Sequence, residues 1–458
     1  MEPGRPILHV APPRGVSARS KEDGSGRQLK SRSLGVSWAL VCIALLASAL
    51  LPSAGAFAAG PADETNSSSQ DSSEHGDASS RDPRTVPYWS SSFKDRTNKV
   101  RYPFTMVGSD PRRGESTTVA TRIIPLSFTF VAGAQNVSVL NIPPANFPPN
   151  GYVATAQNAT MNAADNVADT IASPIFTPAN FEISGDSGVQ FGDAFARAQF
   201  GRVGTGYHVI LGQPRVAETV SIQVPESKGV AVLNPLGVLV GRVDSTWFKE
   251  RLAQLIDEME LKPTILPIFL TNNVGLYSDA NYRHCCTLGG HGAGSPASNA
   301  PISLAGKEEI RTFVFAAYIT PNGFPRFPAP FAGLSDIHAL SHEIAEWIDN
   351  PFGINVVQPY QIPTAPPGAC SSDLETGDVL AGVWFPMPGN PDHAAGLVWH
   401  PQDEAFLNWF ARDSEKPALA PADGRYTYMG PSIFGIGVPT PAGVTFPYAA
   451  FGHVAQAC

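Results

Sequence analysis

Leu334-Ser-Asp-Ile-His338-Ala-Leu-Ser-His342-Glu343-Ile-Ala-Glu346-Trp-Ile-Asp-Asn350-Pro351 is the stretch on which the reading of this chain turns. Ser335 suits an N-cap, Asp336 suits the positive end of a helix dipole, and Asn350-Pro351 disfavours continuation. A helix is therefore predicted from about Asp336 to Asp349. At roughly 100° per residue, His338, His342 and Glu346 share one stripe with Glu343 at its edge. Ile337, Leu340, Ile344, Trp347 and Ile348 take the other side. His342-Glu343-x-x-Glu346 is a variant of the His-Glu-x-x-His helix of zinc hydrolases. There, residues one turn apart hold the metal, and the intervening Glu takes a proton from the water the metal holds. Glu346 stands in place of the second His, and a carboxylate oxygen is an acceptable zinc ligand. His338, one turn upstream, offers another imidazole on the same face. The competing reading is an amphipathic helix whose polar face is solvated.

Downstream, Pro351 to Gly368 reads as a Pro-rich loop, followed by Glu375-Thr-Gly-Asp378. Zinc hydrolases commonly complete a site of three protein ligands from a later loop, leaving one position open. Glu375 is the first candidate and Asp378 the second, as ligand or as partner of a ligand. Both also suit ordinary turn chemistry. Upstream, Asp244 to Leu261 is a second helix, with Asp244 or Ser245 as cap, Phe248, Leu252, Leu255, Ile256 and Met259 at helical spacing, and Pro263 as its stop. Thr264–Thr271 and Arg311–Thr320 read as strands. Between them, Gly289-Gly290-His291-Gly292-Ala293-Gly294 reads as a glycine-rich loop. It lacks the Lys-Ser/Thr of a P-loop. Its glycines let the chain turn tightly and bring His291 near a site, or His291 is an ordinary loop residue. Trp399 to Arg412 is an apolar helix candidate in which His400 and Asp403 act as caps.

Val119 to Val240 carries short β-branched runs bounded by Pro, Gly or Asn, so that half is mostly strands and loops. Asn158 to Ala172 is helix-compatible. The fold class is α/β in the broad sense, of the α+β kind. It is a mixed, sheet-rich domain with a zincin-like helix, whose strand-rich portion 88–240 and metallohydrolase-like portion 241–458 are expected to form one domain.

Ser341-His342-Glu343-x-x-Glu346, then Asn350-Pro351 and Glu375-x-Gly377-Asp378, resembles a group of secreted, mainly bacterial proteins regarded as zincin-like. Asn350-Pro351-Phe352-Gly353 and Cys285-Cys286-Thr-Leu-Gly-Gly-His291-Gly292 are more faintly similar to the plant phosphate-induced, exordium-like secreted family. The resemblance runs from about Tyr207 to Gly430 and takes in His400 to Arg412. It implies a shared domain more than a shared reaction. The chain departs from the bacterial pattern in lacking a second motif His, and in having Val379-Leu380 where a Cys is expected. The function expected on these grounds is a secreted zinc-dependent hydrolase, a metallopeptidase acting on a peptide or protein. Its metal would be held by His342 and Glu346 and completed by Glu375, Asp378 or His338, with Glu343 as general base. The alternative is a non-catalytic extracellular scaffold binding cell wall or glycan.

At 458 residues and 43% hydrophobic, the chain can bury a substantial core, while 42 Gly and 43 Pro point to many turns around it. Residues 1–34 carry seven Lys/Arg, followed by the apolar run Gly35 to Leu51 and small residues ending Ala56-Phe57-Ala58. This is the layout of a secretory signal peptide with a long basic front, or of an uncleaved anchor at the short limit for spanning a bilayer. Either address places the remainder outside the cytoplasm. Cleavage after Ala58 leaves 24 basic against 37 acidic residues. Such an excess of acid excludes nucleic acid and anionic membrane surfaces as partners, leaving membrane attachment only to the N-terminal segment. Residues 59–87 are Ser-, Asp-, Glu- and Gly-rich and read as a disordered tether. Cys285, Cys286, Cys370 and Cys458 remain, an even number that reads as one or two disulfides. Adjacent Cys285 and Cys286 are expected to bond to other partners rather than to each other.

Overall fold

The computed structural model describes residues 83–131, 153–154, 159–181, 185–234, 238–279, 285–294, 302, 304–306, 308–324, 334–361, 370–388, 398–412 and 427–428. The basic front, the apolar run, the expected cleavage site at Ala58, most of the stretch read as a tether and Cys458 lie outside the described residues. No helix among the described residues is long and apolar enough to cross a membrane.

The long strand Ser116–Phe130 organises the main sheet. Its period of two sends Val119 and Ile123 to one face and Ile124, Leu126, Phe128 and Phe130 to the other. Parallel strands Val220–Val224 and Ile265–Asn272 flank it. Beyond Ile265–Asn272 come the parallel strand Arg311–Tyr318 and, at the edge, the antiparallel strand Gly289–Gly294. The long strand of the first portion is thus hydrogen-bonded directly to the second. A smaller five-stranded sheet includes Gly229–Leu233, Leu239–Asp244, Val274–Tyr277 and Cys285–Thr287. Parallel and antiparallel pairs mixed with a few helices make this an α+β fold.

Central parallel strands are covered on both faces, which is why they read as near-continuous apolar runs. One face takes the helix Ser245–Glu258, whose Phe248, Leu252, Leu255 and Ile256 pack on Leu126, Phe128, Phe269 and Phe315. The other takes the helices Phe191–Gln199 and His338–Asp349, packed on Ile123, Ile268, Leu270 and Val314. At about 1.5–3 kcal/mol for each fully buried large side chain, these two faces can offset the cost of one buried polar centre.

Several elements differ from the sequence expectation. The Ser245–Glu258 helix is capped by Asp244, which accepts from the Trp247 N–H at 2.9 Å, but it stops short of Pro263 because Glu260 turns to φ 47°. Asn158 to Ala172 divides into the strand Ala159–Asn162, a 3-10 turn and the short helix Val167–Ala172. The Phe191–Gln199 helix lies inside the half read as strands and loops. Phe191, Ala194, Phe195 and Ala198 have helical spacing, but Gly192 obscures it. The glycine lets the site helix pack close: a Cβ there would sit 2.8 Å from Ile348 Cδ1, which would have to shift. The Pro-rich stretch after Pro351 contains the strand Val356–Gln361, paired with Cys370–Asp373. Trp399 to Arg412 holds only the helical turn Leu407–Phe410, and residues 400–406 run irregularly through the interior. Residues 83–87, read as the end of a disordered tether, are instead tied to the fold: Thr85 and Val86 are buried and the Arg84 carbonyl accepts from Ile310 N–H.

The cysteine expectation is also corrected. Cys285 and Cys286 are bonded to each other, across a cis peptide, and Cys370 is disulfide-bonded through a partner outside the described residues. Placement separates them. The adjacent pair is buried beneath Gly275, whose missing side chain makes room for Cys286, while Cys370 is exposed on its strand.

Candidate metal centre

The His338–Asp349 helix starts two residues later than predicted, and its N-cap, Ile337, makes no side-chain cap bond. Ser335 and Asp336 are used elsewhere. Asp336, at φ 44°, is bridged to Ile319, and its carboxylate accepts from the Ile337 and His400 backbone N–H groups and lies 2.6 Å from His400 Nδ1. All twelve helix residues are buried, so the polar stripe faces an interior site and not solvent.

Glu346 is the centre of that site. Its Oε1 accepts from the backbone N–H groups of Gly377 and Asp378 at 3.0 and 3.1 Å. This explains the spacing of Glu375-x-Gly377-Asp378: the turn folds over the helix and offers two successive amides to one carboxylate oxygen. Oε2 of Glu346 is left facing two imidazoles, 3.1 Å from His342 Nε2 and 3.6 Å from His291 Nδ1. Asp378 Oδ1 lies 3.9 Å from His342 Nε2. Glu343, next to His342 in sequence, places Oε2 3.4 Å from His291 Nδ1 and Oε1 3.8 Å from His342 Nε2. Glu375 Oε2 lies 3.7 Å from His291 Nε2, while its Oε1 accepts from Asn350 Nδ2 at 3.2 Å. The Asn350 that ends the helix therefore also aims Glu375.

Two glycines permit this convergence. A Cβ at Gly377 would lie 2.5 Å from His342 Nδ1, and one at Gly289 would lie 2.5 Å from Glu343 Oε1. Both approaches are too close for any side chain. Gly377→Ala is accordingly expected to destabilise the fold by about 1–3 kcal/mol through overpacking. Gly294→Ala, where nothing lies within 4 Å, should stay within about 0.5 kcal/mol of wild type. Denaturant midpoints of the two variants check this, and equal midpoints would refute it.

The electrostatics are those of a site crowded with carboxylates. Burial pushes Glu375, Asp378 and Glu404 well above the usual carboxylate range, and the Glu346 charge adds to the shift. Glu343 is raised, chiefly by burial, against the opposing pull of His291 and His342. For Glu346, burial is outweighed by the His342 charge and its pKa is lowered. Burial likewise opposes the His342 imidazolium, but Glu346 and Glu343 hold its pKa well above the ordinary value. His338 behaves oppositely: burial and the His342 charge depress it to about 3, so it is neutral.

Glu346 Oε2, Glu375 Oε2, Asp378 Oδ1 and both Glu404 carboxylate oxygens are buried without a hydrogen-bond partner. Buried acceptors are normally paired, and several orphaned oxygens beside imidazoles are a donor set that could hold a cation. Two groupings have ligand atoms within 4.8 Å of one another: His342, Glu346 and Asp378, and His291, Glu343 and Glu346. In a tetrahedral site with bonds of about 2.0–2.1 Å, donor atoms stand roughly 3.3 Å apart. The separations of His342 Nε2 from Glu346 and Asp378 bracket that value.

The structure thus brings together His342, Glu343, Glu346, Glu375 and Asp378. Glu375, the first candidate for a third ligand, and His338 fall in neither grouping; the His338 ring turns toward His400 and Gln402. His291, read above as a loop residue with two equal readings, sits on the edge strand Gly289–Gly294 with its side chain in the cluster. A glycine run lacks the β-branched pattern of a strand, and only pairing with Arg311–Tyr318 makes it one. Glu404 was missed altogether. Gln402 and Asp403 precede it, so no local contrast marks it out. Searches against protein-family models, curated proteins and solved structures find no match for this chain.

Proposed function

We propose that this protein is a secreted, zinc-dependent hydrolase acting on peptide bonds, with His342, Glu346 and Asp378 as the metal-holding residues. The observation that carries this reading is Glu343: a buried carboxylate of raised pKa placed within 3.8 Å of His342 Nε2, on the residue after a ligand. When bound, zinc supplies a Lewis acid that polarises a carbonyl and acidifies water. Glu343 accepts the proton of the attacking water and returns it to the leaving amine. Gly377 and Asp378 amides hold Glu346 in its ligating orientation, and Asn350 holds Glu375 against the cluster as its outer support. The bonded cysteines agree with an oxidising compartment, as do the apolar run and Ala56-Phe57-Ala58. The acidic balance leaves peptide or protein, not nucleic acid, as the partner class.

One observation favours a second reading, in which metal serves structure alone. No side chain of the two groupings, nor that of Glu375, is more than 5% exposed, and structural zinc sites are closed. Elemental analysis and peptide-library hydrolysis on the purified chain separate the cases. Zinc near one equivalent or above, lowered in His342→Ala, with cleavage abolished by chelation, supports the hydrolase. Zinc without cleavage supports the structural site. No zinc after reconstitution sinks both and leaves the extracellular scaffold.

A further inference from the structure

The His342 trio does not use all the donors that converge here. We infer that the cluster holds two divalent cations, the second bound by His291, Glu343 and Glu346, with Oε2 of Glu346 shared between them. The inference takes the His342–Glu346–Asp378 site of the proposed function as its first half.

The shared oxygen is the central observation. Oε1 of Glu346 is occupied by two backbone N–H groups, so only Oε2 faces the interior of the cluster. That one atom lies 3.1 Å from one imidazole and 3.6 Å from another. A single ion cannot take both rings. Among the described residues no grouping within 4.8 Å contains both His291 and His342, whereas donors to one tetrahedral ion stand roughly 3.3 Å apart. The second trio meets that spacing by itself, with His291 Nδ1 3.4 Å from Glu343 Oε2 and 3.6 Å from Glu346, which leaves the other Glu343 oxygen, Oε1, 3.8 Å from His342 Nε2, for the base. Two ions on either side of one oxygen, each about 2 Å from it, come close to the ~3.5–4 Å separation of two-metal hydrolase sites.

The far side of His291 agrees. Its Nε2 points at Glu375 Oε2, 3.7 Å away, a buried oxygen with no hydrogen-bond partner on a carboxylate anchored by Asn350. A ligating imidazole characteristically directs its other N–H at a carboxylate, which selects the tautomer and orients the ring. Charge points the same way. Glu343, Glu346, Glu375, Asp378 and Glu404 are five buried carboxylates. That is more buried acid than the single carboxylate pair of the first trio can bring to one ion. The glycine run also gains a reason, since any side chain at Gly289 would displace Glu343 from the second trio. One imidazole with carboxylate oxygens suits Zn²⁺ or Mn²⁺.

The test is metal stoichiometry on the full chain, demetallated and reconstituted with Zn²⁺ and separately with Mn²⁺, with electron paramagnetic resonance on the manganese form. Wild type is expected to bind two equivalents, with a spin-coupled manganese signal. His291→Ala should bind one, with the isolated six-line signal, and Glu346→Gln should lose tight binding of both. Glu375→Gln, a milder change that keeps the side-chain shape, should weaken only the second equivalent by about 10–100-fold, which keeps the inference testable if His291→Ala does not fold. One equivalent in wild type, unchanged in Glu375→Gln and His291→Ala, overturns the second cation while leaving the hydrolase reading intact. Two equivalents unaffected by both variants overturn its placement at His291. No equivalents overturn both readings.

Discussion

Glu343→Gln is expected to lower peptide hydrolysis by about 10²–10⁴-fold while the His342 site keeps its cation. Gln preserves the volume of the side chain, which matters because Gly289 leaves it no spare room. It also keeps an oxygen near His291, while taking a charge from the second trio, so metal content is measured beside the rate. The carboxylate sits 3.8 Å from His342 Nε2, within reach of a water held at the centre, and burial raises its proton affinity toward the range useful to a general base. The pH–rate profile supplies the second readout. In wild type, activity should rise with pH through the titration of an acid group, and that limb should vanish in the variant. A Glu343→Gln enzyme within a few-fold of wild type, with zinc bound, would remove Glu343 from the role of base.

Asp349→Asn is expected to make the metal-free protein more stable at neutral and alkaline pH. Asp349 ends the site helix with no exposure to solvent. Its Oδ1 accepts from Gln199 Nε2 at 3.0 Å and its Oδ2 has no partner. Burial, with the Glu346 charge added, raises its pKa from the ordinary 3.8 to about 8. Between those two values the folded state binds a proton that the unfolded state has released. Stability is therefore full below about pH 4 and is lost as pH rises toward 8, by up to ~1.4 kcal/mol per pH unit. Asn keeps the oxygen for Gln199 and does not titrate. In the presence of chelator, the difference in unfolding free energy between variant and wild type should grow across this window and level off above it. Parallel stability curves from pH 4 to 9 would show that Asp349 titrates normally.

How the chain divides between legible and hidden parts follows from the range over which each signal acts. The helix carrying His342, Glu343 and Glu346 was legible because a period of 3.6 is written locally, and the turn Glu375 to Asp378 stood out as acidic residues around a glycine, which the structure folds against Glu346. The central strands and the Asp244 cap were legible for the same local reason. The helix start was misread. Ser335 and Asp336 have cap chemistry, yet Ile319 and His400, both distant in sequence, claim them instead. The Phe191–Gln199 helix was lost to a glycine at which Ile348 packs close. The glycine run around His291 became a strand only by pairing with Arg311–Tyr318.

By itself, then, the sequence determined the α+β class, the site helix and the residue types able to hold a cation, since these depend on periodicity and composition within a few turns of chain. Only the tertiary structure decided that His291 joins the cluster while His338 turns away from it. It also decided that Glu404 is buried beside the site, that Cys285 bonds to Cys286, and that one oxygen of Glu346 faces two imidazoles. The reason is physical: pairing across a sheet and burial against a helix bring the site together through contacts such as His291 with Glu343, 52 residues apart, and Ser341 with Gln402, 61 apart, and no local pattern encodes a distance in space.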